Sequence, residues 1–129
     1  MDRYFVEATK MTPQIELDPI NKVFSMSGNS RPENPMQFYK PIFEWLTAYI
    51  ESSSDKTVFE IKMDYFNTST SKVLLDLFEL FEKLATSKDI HVVWCYQSDD
   101  EEMQEAGEEL LDLVELSYEI KEVKYFQIN

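Results

Sequence analysis

Residues Ile90 to Tyr96 read Ile-His-Val-Val-Trp-Cys-Tyr, a nearly unbroken β-rich run. Such a pattern suits a strand covered on both faces, as in a parallel sheet. Parallel strands need crossover connections, usually helical. The segments on either side supply them.

Upstream, Thr57 to Phe66 alternates. Val58, Phe59, Ile61, Met63 and Tyr65 are apolar, with Glu60, Lys62 and Asp64 between them, so a strand is expected. Asn67-Thr68-Ser69-Thr70-Ser71 follows, a cluster of helix-capping residue types. Val73, Leu74, Leu77, Phe78, Phe81 and Leu84 then keep helical spacing. A first amphipathic helix is expected from Met36 to about Ser52, on Tyr39, Ile42, Phe43, Leu46, Tyr49 and Ile50. Downstream of the central run, Ser98 or Asp99 is expected to cap a third helix. Glu101 or Glu102 would complete a capping box, and Met103, Ala106, Leu110 and Leu113 would form the inner stripe. Tyr118 to Ile128 alternates and reads as a last strand.

Before the first helix, Gln14–Leu17 and Val23–Ser27 flank Asp18-Pro19-Ile20-Asn21. Proline presets φ and Asp and Asn bond the local backbone, so this is a β-hairpin. Met1 to Pro13 has no clear period and is expected to be an extended lead-in. Gly28 to Pro35 is dense in turn formers and reads as a loop. The order β-β-α-β-α-β-α-β implies an α/β fold: an N-terminal hairpin, then alternating helices and strands in a mixed, mostly parallel sheet with helical cover. The 129 residues suit one domain, 1–129.

Composition excludes several classes. Twenty-five acids against 12 Lys and Arg give a net charge of −13, which repels phosphate backbones, so no nucleic-acid partner is expected. No run of about 18 apolar residues exists, so no membrane span is expected. The acidic start Met1-Asp2-Arg3-Tyr4-Phe5-Val6-Glu7 is unlike a signal peptide, and the compartment reads as cytoplasm. A single Cys forms no intrachain disulfide.

Each candidate site also has a plainer reading. His91 and Cys95 share a strand face but lie about 13 Å apart at roughly 3.3 Å per residue. That is too far for a nucleophile–base pair. One His and one Cys also make a poor zinc set, so no metal and no cofactor are expected. Asp99 to Glu115 carries nine acids and no cation. It is either a solvated, well-capped helix or a docking face for a basic partner. The loop Ser27 to Pro35 has one Gly and no Gly-Lys-Ser/Thr, so it is no phosphate cradle; it is a connector or a binding surface. Tyr65 to Ser71 lies where a strand ends and a helix begins, the region where function gathers in open α/β sheets. Its hydroxyls would sit near free N–H groups, which suits a phosphate. Simple N-capping accounts for the same residues, and composition does not single out Thr68.

Two motifs add what spacing cannot. Ser27-Gly28-Asn29-Ser30-Arg31-Pro32-Glu33-Asn34 and Tyr65-Phe66-Asn67-Thr68-Ser69 resemble the SiaC family of bacterial regulatory phosphoproteins. The helix from Val73 and the strand around Val93-Trp94-Cys95-Tyr96 fit as well, so the resemblance spans roughly residues 10 to 128. The family is similar to STAS domains, the anti-sigma-factor antagonists, which implies a STAS-like fold. Where STAS domains carry Asp-Ser/Thr-x-Gly, this chain has Asn67, Thr68 as phosphoacceptor, and Thr70 in the Gly position. These departures argue against an ordinary STAS antagonist.

The resemblance implies a non-enzymatic switch. A dedicated protein kinase would phosphorylate Thr68 and a PP2C-type phosphatase would reverse it. The unphosphorylated form would bind and activate a diguanylate cyclase, raising cyclic di-GMP and favouring aggregation or biofilm. The expected partner surface is Asn67, Ser69, Thr70, Arg31, Glu33 and Asn34. Alternatives are a STAS-type antagonist binding an anti-sigma factor, a small enzyme using Glu33 and Asp64 as acid and base, and an acidic nucleic-acid mimic. Ser69, Thr70 or Ser71 could replace Thr68 as the modified residue.

Overall fold

The structure, a computed structural model, describes residues 1–126. Strand β1 (Tyr4–Val6) is followed by β2 (Gln14–Asp18), β3 (Val23–Ser30), α1 (Pro35–Ser52), β4 (Thr57–Phe66) and α2 (Thr68–Leu84). Strand β5 (Ile90–Gln97), α3 (Glu101–Leu111) and β6 (Ser117–Val123) complete it. The six strands form one mixed sheet in the order β1-β2-β3-β4-β5-β6. The first three run antiparallel, and β3 to β6 are parallel. Every crossover steps in the same direction, so right-handed connections place all three helices on one face.

The core lies between that face and the helices. Phe59, Ile61 and Met63 of β4 and Val92 and Trp94 of β5 meet Leu46 and Ile50 of α1 and Leu74, Phe78 and Phe81 of α2. In the hairpin turn, the Asp18 carboxylate accepts the Ile20 and Asn21 N–H groups at 2.9 and 3.0 Å. The Asn21 backbone bond, a second from the Asn21 side-chain amide at 2.8 Å and, less, the Ile20 bond hold its carboxyl below the usual range and close the β2–β3 register.

Six details differ from expectation. The lead-in contains β1, too short for a period to reveal; pairing with β2, the Arg3–Glu16 ion pair and a Trp45 indole bond to the Asp2 carbonyl fasten it. Strand β3 continues through Gly28, Asn29 and Ser30, because Gly28 takes φ 113° and keeps pairing with β4. Helices cover only one face of β5; on the other, Cys95 is shielded by Glu60, Lys62, Lys121, Tyr125 and Phe126. Asp100, not Ser98 or Asp99, caps α3 and accepts the Met103 N–H at 3.1 Å. Met103 therefore occupies the reciprocal position, and no capping box forms. Leu113 is 67% exposed beyond the helix end, while Leu111 and Gly107 turn inward. The last strand stops at Val123; Ile128 lies outside the described residues.

Candidate functional site

The carboxyl end of β4 sets the site. Gly28 pairs with Met63 and Asn29 with Tyr65, so Asp64 is an extra residue in β4. A bulge of this kind flips the facing of everything after it. Tyr65, expected with the apolar set, is consequently half exposed. Phe66 turns to the helical side and stacks edge-on against Trp94. Asn67 then falls at the start of α2.

Asn67 caps the helix. Its Oδ1 accepts the Thr70 N–H at 3.0 Å and the Ser69 hydroxyl at 2.9 Å. Its own N–H donates to the Ser30 carbonyl at 3.1 Å, and its carbonyl accepts the Ser71 N–H. The cap thereby fastens the α2 start to the end of β3.

Below it lies a buried hydroxyl cluster. Ser30 Oγ lies 2.6 Å from Tyr39 Oη and 2.7 Å from Thr70 Oγ1, and the Thr70 hydroxyl donates to the Ser30 carbonyl at 3.2 Å. Only one assignment uses all three hydrogens: Tyr39 donates to Ser30 Oγ, Ser30 to Thr70 Oγ1, and Thr70 to the Ser30 carbonyl. Burial pushes the Tyr39 phenol up to about 12, which keeps it a donor.

This geometry separates the four hydroxyls. Thr70 is 0% exposed, so it does not line the surface; it was expected among the partner contacts and instead anchors the helix from inside. Ser69 is exposed but its hydroxyl is held by Asn67, and Ser71 is half-buried. Thr68 is exposed on the first residue of α2.

Two grooves lie where β3 and β4 end. Met11, Thr12, Pro32, Glu33, Asn34, Gln37 and Phe38 line one of about 500 Å³. Asn34 also caps α1, accepting the Gln37 N–H at 3.2 Å. Arg31 is exposed, with its backbone N–H on the Met11 carbonyl. The other groove, about 220 Å³, lies between the β4 bulge and the α3 start, lined by Asp64, Tyr65, Phe66, Asp100, Glu102, Met103 and Ala106. Desolvation, then the Asp100 charge, raises the Asp64 carboxyl above its ordinary range. Sequence reasoning missed this groove, since its acids lie far apart in the chain and the bulge leaves no sequence mark.

Other candidates do not assemble. Glu33 and Asp64 line different grooves, so they form no acid–base pair. His91 Nδ1 meets Ser117 Oγ at 2.7 Å, and burial raises the Cys95 thiol, which disfavours a nucleophilic thiolate. Among the described residues no three His, Cys, Asp or Glu side chains gather as a metal site. No helix among them is long and apolar enough to cross a membrane.

A family model described as SiaC family regulatory phosphoprotein matches residues 6–123. The chain belongs to the SiaC family. An uncharacterized protein of Pseudomonas aeruginosa (strain UCBPP-PA14) is 26% identical over 110 residues, 84% of this chain and 87% of the relative. SiaC of Pseudomonas aeruginosa superposes with a TM-score of 0.85 at 22% identity, covering 95% of this chain and 100% of that one. A chain in the crystal structure of the Pseudomonas aeruginosa diguanylate cyclase SiaD in complex with its activator SiaC gives 0.87 at 23% identity, covering 93% and 99%. The SiaC fold is thus shared across nearly the whole chain.

Proposed function

We propose that this SiaC-family regulatory protein is a phosphoswitch in which modification of Thr68 controls binding to, and activation of, a diguanylate cyclase. The observation that carries the reading is the position of Thr68: an exposed hydroxyl on the first residue of a capped, internally anchored helix. A protein kinase adds the phosphate and a PP2C-type phosphatase removes it. The partner covers the Thr68 end, with Asn67, Ser69, Arg31, Glu33 and Asn34 around it. Support for the cyclase comes from the structural likeness to SiaC, the activator bound to SiaD.

The physics of the switch is desolvation. A phosphoryl group brings roughly −1.5 to −2 charges to a surface that is already acidic. A partner packed over it buries that charge, at high cost unless a cation pairs with it. Cyclase assays with the unmodified protein and with Thr68-phosphorylated protein test this. Activation by the unmodified form alone is expected; equal activation by both overturns the proposal.

A further inference from the structure

The reading of Thr68 as phosphoacceptor leaves one neighbouring cation unused, and the following rests on that reading. Thr68 opens α2 and Lys72 stands four residues on, so their side chains share one helix face, with Cβ atoms about 5–6 Å apart. The Lys72 side chain is 81% exposed, and its ion pair is a long 3.9 Å contact to Asp76, another four residues along. That pair places the cation on the N-terminal side, the weaker of the two i,i+4 orders.

An anion at residue 68 reverses the comparison. It would precede Lys72, the stronger order, and it would stand in the first turn, where the helix dipole favours negative charge. It would also carry about −1.5 to −2 charges against the single charge of Asp76. Charge and order both favour exchange. We propose that Lys72 is the intramolecular partner of a phosphate on Thr68, leaving Asp76 to pair with it.

The surroundings make this cation stand out. Asp76 stands on the same helix, Arg31 follows Ser30, whose carbonyl accepts the Asn67 N–H, and Asp64, Asp100 and Glu102 line the groove that Tyr65 and Phe66 border at the end of β4. Acids outnumber cations there, and they raise the second pKa of any phosphate. Lys72 lowers it. The modified surface then differs in two ways: it gains a phosphate, and its exposed Lys72 is turned from Asp76 toward that phosphate and away from a partner.

Phosphothreonine installed at residue 68 during synthesis tests the pairing without any kinase. The second phosphate pKa is read by phosphorus NMR titration at low salt. Lys72→Gln is expected to raise it by about 0.2–0.4 of a pH unit, and Lys72→Arg to keep it low. Lys83→Gln, at the far end of α2, is expected to leave it unmoved, and salt to narrow the difference. No change with Lys72→Gln, or an equal change with Lys83→Gln, overturns the pairing. Cyclase binding by the same phosphoprotein is scored separately. If the pairing is present while binding is unaltered, the switch fails and the Lys72 contact stands.

Discussion

Replacing Thr70 by valine keeps the side chain's volume and deletes its hydroxyl. In the hydrogen-bond order assigned above, Ser30 Oγ–H then has no acceptor, because the Tyr39 phenol already donates toward it. A buried donor without a partner costs about 1–3 kcal/mol. Tyr39→Phe differs in kind. It removes the first donor of the chain, so Ser30 loses an accepted bond but no donor is stranded, and the cost is about 0.5–1.5 kcal/mol. Ser30→Ala strands the Tyr39 hydroxyl and again costs about 1–3 kcal/mol. The double variant Ser30→Ala/Tyr39→Phe removes both ends of one bond, so it is expected to be more stable than Ser30→Ala alone. Urea unfolding at pH 7 with an unchanged slope measures all four. The reasoning is refuted if Tyr39→Phe costs as much as Thr70→Val, or if the double variant equals the sum of its parts.

Other expectations follow from single contacts. Gly107→Ala drives a Cβ into the Trp94 indole ring; overpacking costs about 1–3 kcal/mol, which outweighs the gain in helix propensity of at most about 1 kcal/mol, so thermal stability falls. Asn67→Ala removes the α2 cap and costs about 1 kcal/mol, with amide exchange quickening in the first turn of α2. Asp64 is held above its ordinary range by burial and Asp100, so its ionised form opposes folding at neutral pH. Asp64→Asn therefore stabilises the protein at pH 7, and the gain fades as pH falls through the carboxylate range, readable by denaturation at several pH values.

The helices and the inner strands were legible because their apolar spacing is long and regular. Leu46, Ile50, Leu74, Phe78 and Phe81 are buried where a 3.6-residue period places them. The hairpin was legible from Asp18 to Asn21, whose turn chemistry is local. The misses come from tertiary partners. Strand β1 exists because β2 offers an edge, and Cys95 is covered by long side chains from neighbouring strands as well as by the chain after β6. The site was half legible. The capping residues marked the strand–helix junction, whereas the proposal of Thr68 rests on the family resemblance and not on any pattern in the residues. Thr70 looked like an exposed twin of Thr68, because nothing in Thr-Ser-Thr-Ser shows that Ser30 and Tyr39 wait beneath the third residue. The β4 bulge was equally invisible, since only pairing with Gly28 and Asn29 reveals the extra residue.

The central claim is that the state of residue 68 decides which partner is held. Affinity purification from native cells with Thr68→Ala and Thr68→Asp baits, partners identified by mass spectrometry, tests it most directly. An acid at the first helical position mildly favours the helix, so both baits are folded. The account predicts a diguanylate cyclase with Thr68→Ala and its loss with Thr68→Asp. The same proteins in equal amounts on both baits would contradict it, leaving Thr68 as the first residue of a well-capped helix.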